Sequence, residues 1–446
     1  MRNIRVAVVG AGPAGIYAAD ILTKEHPEAS VDVIERLPAP YGLVRYGVAP
    51  DHPRIKEIVK ALRRVLSRDN IRFLGNVEYG TDLKLDDLER FYDAVIFSTG
   101  AMADRQLDIP GVDLPGSHGA SSFVSWYAGH PDAPSEWPLE ARSVAVIGAG
   151  NVALDVARML AKPADEQLTT EIADNVYQGL KLNQATDVHV FARRGPAQIK
   201  FTPMELRELS HSPNVDVIVH PEGFEIDEAS QTAISSNKGT RLVVDTLLKY
   251  VEAEPTGAPH RIHIHLCQAP VEIYGDGQVE GLRTEITELV GDGTARGTGE
   301  YVDTPVQAVY RAVGYFSSQL ADLPFDHVNG VLPHEAGRVL DLDGEHLPGT
   351  YVTGWVKRGP VGLIGHTKSD AAETVASLLA DLDTLRTAET TDPAAILEHL
   401  AERGVEVIGW DGWERLDAHE VALGEAAGRE RIKVVPRDEM LRAARG

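Results

Sequence analysis

A chain of 446 residues has room for two or three domains, and 43% hydrophobic against 25% charged residues is the balance of a globular protein in water. A net charge of −24 argues against nucleic-acid binding, which wants a basic footprint. One cysteine, Cys267, excludes an internal disulfide, a CxxC redox pair and a four-thiolate cluster, so electron chemistry here must use an organic cofactor. Cys267 itself reads as a small buried apolar side chain. No stretch approaches the roughly 20 apolar residues of a membrane span. The run Ile4-Arg5-Val6-Ala7-Val8-Val9 follows Met1 with no signal or transit segment, so a cytoplasmic location is expected.

In chain order, the strand 4–9 meets Gly10-Ala11-Gly12-Pro13-Ala14-Gly15, and a helix follows to about Glu25. A strand at 31–34 ends on Glu35, a basic helix is expected over 53–68, and 94–98 reads as a buried strand. A Pro- and Gly-rich linker occupies 104–142. The pattern then restarts: strand 143–147, glycine turn 148–153, helix to about Leu160, strand 188–191 ending at Arg193-Arg194. Residues 215–315 alternate polar and apolar side chains, and 261–266 and 282–288 read as antiparallel strands. A strand at 350–355 returns the chain to the first domain, and Asp370 is expected to cap a helix reaching about Leu382. Residues 384–446 read as a polar tail with helical segments. Strands alternating with helices indicate an α/β fold with two Rossmann-like dinucleotide-binding domains, the second inserted into the first. The expected bounds are 1–103, 104–320 and 321–446.

A GxGxxG alone is a weak signal, but Gly10, Gly12 and Gly15 lie between a strand and a helix, the context the motif requires. Gly10 permits the tight turn, Gly12 lets backbone approach a pyrophosphate, and Gly15 lets helix and strand pack closely. The helix N-terminus offers N–H groups to the phosphates. Glu35 lies 20 residues after Gly15, where a carboxylate accepts from a ribose hydroxyl and repels a 2′-phosphate. This site takes FAD or NAD rather than NADP.

Gly148, Gly150 and Ala153 repeat the fingerprint, with Ala as the closing small residue. Here the next strand ends in Arg193-Arg194, whose guanidinium forks suit a 2′-phosphate and select NADP. The arginines lie about 40 residues past the glycines, against the usual ~20, so 162–186 must hold an inserted loop and helix. Two sites of opposite ribose preference imply electron flow from NADPH to FAD. The 16 histidines are scattered, and His263 with His265 reads as one solvated strand face.

Several segments are far more specific than the glycine motif: 41–53 (YGLVRYGVAPDHP), 148–158 (GAGNVALDVAR), 193–196 (RRGP), 205–209 (ELREL) and 354–360 (GWVKRGP). Over essentially its whole length the chain resembles the adrenodoxin reductase-type ferredoxin–NADP reductases. That resemblance implies FAD contacts from Pro13, Ala14, Glu35, Leu43 and Val77, with Trp355 covering the flavin and Gly362, Leu363 and Ile364 touching it. It implies NADP contacts from Arg105, Asn151, Val152, Ala153, Arg193, Arg194 and Glu205. It places His52 and Glu208 near the flavin–nicotinamide contact, as positioning or proton-relay groups. It also implies a ferredoxin as acceptor. A local basic patch can steer an acidic partner onto this acidic chain, and Lys200, Arg207, Arg241 and Lys249, near the NADP site in sequence, are candidates. A flavodoxin acceptor, or a glutamate synthase-like electron-input role, is the alternative. The latter subunit normally carries cysteine-rich cluster segments, which this chain lacks.

Overall fold

The computed structural model describes residues 2–360 and 364–446, with backbone alone for 364–366. The chain forms two compact units. One holds the residues through Ala103, Ala128–Pro131 and Tyr315–Gly446; the other holds Asp104–Tyr127 and Asp132–Gly314 and so interrupts the first.

The first unit is built on a seven-stranded sheet. Five strands run parallel in the order His346–Val352, Ala94–Phe97, Ile4–Val9, Ala29–Glu35, Ile71–Gly75, and two short antiparallel strands, Arg338–Leu340 and His334–Glu335, extend one edge. Ile4, Val6 and Val8 face a core shared with helix Pro13–Glu25, while Ala7 and Val9 face a second core on the other side. Burial on both faces explains why the strands read as nearly unbroken apolar runs. The segment expected to be a polar tail supplies Trp413, Leu416 and Met440 to the first core, from helices Trp410–Ala426 and Arg437–Arg445.

The second unit has a six-stranded parallel sheet in the order Ser117–Gly119, Ala308–Arg311, Ser143–Ile147, Asp187–Phe191, His260–His265, Val215–Val219. A three-stranded antiparallel sheet, Gln268–Tyr274, Gly281–Leu289 and Ala295–Pro305, packs Ile273 and Leu282 against Ala145, Ile147 and Phe191. The 282–288 expectation therefore holds, but 261–266 is corrected: that strand runs parallel between two others, because alternation reports burial and carries no direction. Residues 228–252 are also corrected, from alternating strand to two helices, Glu228–Ser236 and Lys238–Glu252. The expected helix 53–68 is two, Pro53–Lys56 and Val59–Leu66. Between the second glycine turn and its strand lie a short 3-10 turn, Ala164–Gln167, and helix Asp174–Lys181, which account for the long spacing to the arginines. Cys267 is buried, and burial pushes its thiol up to about 12.

Candidate cofactor sites

In the first unit, strand Ile4–Val9 delivers the chain into the glycine turn, where Gly10 N–H donates to Ile34 O at 2.8 Å. A Cβ on Gly15 would overlap the Gly10 carbonyl and Ser98 Oγ, so the turn closes only with glycine there. Gly12 is the N-cap of the helix and provides no side-chain cap, leaving the first N–H groups for a ligand. Glu35 takes N–H bonds from Ala11 at 2.9 Å and Leu37 at 3.1 Å. Burial raises its pKa, against the lowering effect of those two bonds. Its carboxylate is thus fixed beside the turn by backbone donors.

Two further segments converge on this turn. Tyr41 N–H donates to Ala11 O at 2.8 Å, and Leu43 lies in the helical turn Leu43–Tyr46 that follows. Gly354 approaches from the other side: a Cβ there would sit 2.7 Å from the Ala14 methyl. Trp355 next to it stacks on Tyr315 with ring centroids 6.2 Å apart. Val77 is buried behind strand Ala29–Glu35, its N–H on Glu35 O at 2.9 Å.

The expected cap at Asp370 is corrected. The helix runs Ile364–Ala380, so Asp370 lies inside it. There its carboxylate accepts from Gly354 N–H at 2.5 Å and Thr353 Oγ at 3.0 Å, and pairs with Lys357 Nζ at 3.0 Å. It anchors the Trp355 turn. Sequence reasoning missed this role and that of Lys357. The lysine inside the apolar and glycine-bounded segment 354–360 was the signal available. Gly362, Leu363 and the side chain of Ile364 lie outside the described residues.

The second unit repeats the turn. Gly148 N–H donates to Phe191 O at 3.1 Å, and Gly150 caps helix Asn151–Ala161 with no side-chain partner. A Cβ on Gly150 would meet nothing within 4 Å, so the space over the turn is open for a ligand. Asn151 Oδ1 accepts Thr202 N–H at 2.8 Å, and Lys200 N–H donates to Ala149 O at 2.7 Å. These bonds lay residues 200–202 beside the turn and start helix Pro203–Glu208, which carries buried Glu205, 4.0 Å from Arg158. Val152 and Ala153 occupy the first helical turn. Arg193 is exposed and Arg194 half-exposed. Their backbone is pinned by Thr287 Oγ on Arg193 O at 2.9 Å and Cys267 N–H on Arg194 O at 3.2 Å. Among the described residues, neither guanidinium is held in an ion pair. Two arginines on a fixed backbone with uncommitted heads are what a 2′-phosphate requires.

His52 is buried at the head of Pro53–Lys56 in the first unit. Glu208 is half-buried at the end of Pro203–Glu208 in the second, and Arg105, exposed, places its N–H on Gly314 O at 2.9 Å. His263 and His265 do share a face, but the solvated reading is corrected. Both are half-buried and stack with His189 and His220, with centroids 4.6 Å apart for His189–His263 and 4.3 Å for His220–His265.

Residues 4–255 match the model of the pyridine nucleotide-disulphide oxidoreductase family. NADPH-ferredoxin reductase FprA of Mycobacterium tuberculosis is 39% identical, with 100% of both chains aligned. The chain belongs to this reductase family. The mitochondrial NADPH:adrenodoxin oxidoreductase of Arabidopsis thaliana is 36% identical over 99% of this chain and 96% of that one. The solved structure of M. tuberculosis FprA in complex with NADPH matches at a TM-score of 0.91 and 38% identity, covering 100% of each chain. The α/β architecture with two dinucleotide-binding domains is accordingly that of the family, and the disulphide in the broader family name has no counterpart in a chain with one cysteine.

Proposed function

We infer that this chain is an FAD-dependent ferredoxin–NADP reductase, taking reducing equivalents from NADPH and passing electrons singly to a ferredoxin. The observation that carries the reading is the pairing of two glycine turns with opposite charges, Glu35 after the first and free Arg193-Arg194 after the second. Bound FAD supplies the conversion between a two-electron donor and a one-electron acceptor. The protein's part is to bind, orient and shield.

Gly10, Gly12, Pro13, Ala14 and Gly15 would hold the pyrophosphate of FAD, Glu35 its ribose, Leu43 and Val77 its apolar flanks, and Trp355 the flavin ring. Gly148, Gly150, Asn151, Val152 and Ala153 would hold the NADP pyrophosphate, with Arg105 and Glu205 near it and Arg193-Arg194 on the 2′-phosphate. Gly362, Leu363 and Ile364 remain assigned to the flavin side by resemblance. His52 and Glu208 are proposed to position the nicotinamide or to move a proton, since hydride transfer itself needs no general acid. On this reading FAD belongs to 1–103 and 321–446 and NADP to 104–320. Lys200, Arg207, Arg241 and Lys249 are all exposed, which suits them to a local basic patch for an acidic ferredoxin on an otherwise acidic protein. The single cysteine accords with a reducing, cytoplasmic compartment, and no helix among the described residues is long and apolar enough to cross a membrane.

Removing both guanidiniums (Arg193→Ala with Arg194→Ala) should raise the KM for NADPH by roughly 10–100-fold with kcat near wild type, and leave NADH use unchanged. Steady-state kinetics with a dye acceptor check this. Equal losses for NADPH and NADH would mean the arginines do not read the 2′-phosphate.

A further inference from the structure

The most enclosed charge in the first unit is Glu420, 0% exposed in the middle of helix Trp410–Ala426. A buried carboxylate is tolerated only when strongly paired, and this one is. Arg45, 5% exposed, grips it with both forks, Nη1 to Oε2 at 3.0 Å and Nη2 to Oε1 at 2.5 Å. Arg431 adds a contact at 3.1 Å, and Val434 N–H donates to Oε1 at 3.0 Å.

The other end of this pair is the loop 41–47, which lies on the glycine turn. Tyr41 holds φ 85° and Gly42 φ 48°, both in the left-handed region. Such a backbone, costly for tyrosine, persists only when its surroundings over-determine it. The surroundings here come from the C-terminal helix. Trp413 meets the Tyr41 ring edge-on at 5.7 Å and lies 5.2 Å under the Arg45 guanidinium. Buried Lys433 donates from Nζ to Arg45 O at 2.7 Å. At the front of the loop, Gly42 passes so close to Gly12 that a Cβ would stand 2.9 Å from the Gly12 Cα. A shift of Arg45 therefore transmits to the backbone facing the pyrophosphate turn.

We propose that Glu420 is a positioning residue for the flavin cofactor: through Arg45 it locks residues 41–47 against the glycine turn, so that tight FAD retention depends on a carboxylate in the C-terminal helix. The inference rests on the reading that the first glycine turn holds FAD. It gives the C-terminal helices a part in cofactor binding beyond covering the core.

The test uses the full-length holoenzyme with Glu420→Gln, which keeps shape and removes charge, and Glu420→Asp, which keeps charge. FAD dissociation is followed by the rise of free-flavin fluorescence on dilution, the bound flavin by its visible circular dichroism, and NADP+ affinity serves as a control in the other unit. Glu420→Gln should lose FAD at least tenfold faster and alter the flavin dichroism, with NADP+ affinity within twofold of wild type. Glu420→Asp should recover part of the loss. If Glu420→Gln does not fold, Glu420→Asp and Lys433→Met decide, and each should still release FAD several-fold faster. Wild-type FAD dissociation and dichroism in the folded variants would overturn the inference alone. A wild-type chain that neither carries nor takes up FAD would overturn the cofactor reading and the inference with it.

Discussion

Lys357 and Asp370 have side chains only 2% and 8% exposed, and they meet at 3.0 Å beneath the Trp355 turn. Asp370 also satisfies Gly354 N–H and Thr353 Oγ, so one carboxylate neutralises a buried cation and fixes two backbone-near donors. Removing it strands Gly354 N–H and Thr353 Oγ and leaves Lys357 with Glu373 and Thr374 Oγ. Asp370→Ala should cost about 3 kcal/mol, the usual scale for breaking a buried pair, and Asp370→Asn less. The thermal midpoint of the holoenzyme checks this: a drop of several degrees is expected, larger for Ala than for Asn, and an unchanged midpoint would contradict it. The misreading of Asp370 as a cap has a simple cause. Residues 364–369, Ile-Gly-His-Thr-Lys-Ser, lack an apolar period, so the helix shows itself in sequence only from Ala371 onward. Glu35 and Arg193-Arg194, by contrast, are charges at topological positions that the sequence states directly, and among the described residues the structure sets Glu35 beside the first glycine turn and leaves both guanidiniums outside any ion pair.

At the scale of elements, the second sheet carries a ladder of four histidines. His189 Nδ1 lies 3.0 Å from His265 Nε2, His220 Nε2 lies 3.2 Å from His263 Nδ1, and His263 Nε2 lies 3.2 Å from Asp187 Oδ1. Burial, reinforced by neighbouring imidazoles, lowers His189 to about 4 and His265 to about 2. Burial likewise lowers His220 and His263, the latter opposed by Asp187. The unfolded chain, with imidazoles near 6.5, binds more protons than the folded one below that pH. Stability is therefore complete above about pH 6.5 and falls as pH drops toward about 4. The ladder also bears on function, because His265 O accepts Ala192 N–H at 2.8 Å just before the arginine pair. Urea midpoints should be flat above pH 7 and decline between 6.5 and 5, before most carboxylates titrate. His189→Phe should flatten that decline, and an equally steep decline in the variant would remove the ladder as its source. The i, i+2 spacing puts His263 and His265 on one face, but which side chains cover that face depends on the register of three strands that are adjacent in the sheet and far apart in sequence. The helix Lys238–Glu252 was missed for a related reason. Only Val243, Val244, Thr246 and Leu247 are buried while Leu242 and Leu248 are exposed, so its apolar period is blurred.

For the whole molecule, the repeated strand–glycine turn–helix unit was legible because it is local, and so was the second unit's place inside the first. The C-terminal 384–446 were underread, since a polar composition hides Trp413, Leu416, Glu420 and Met440, all buried. On the proposed reading the molecule is a converter: electrons enter as a pair from NADPH at the turn followed by Arg193-Arg194 and leave singly from the turn followed by Glu35. The direct test is a single-turnover experiment in which the flavin-loaded protein is mixed anaerobically with one equivalent of NADPH and excess oxidised ferredoxin. The account predicts close to two ferredoxins reduced per NADPH, and little or no reduction with NADH. Rapid oxidation of NADPH with dye reduction but no reduction of any ferredoxin, or equal yields from NADH, would contradict it.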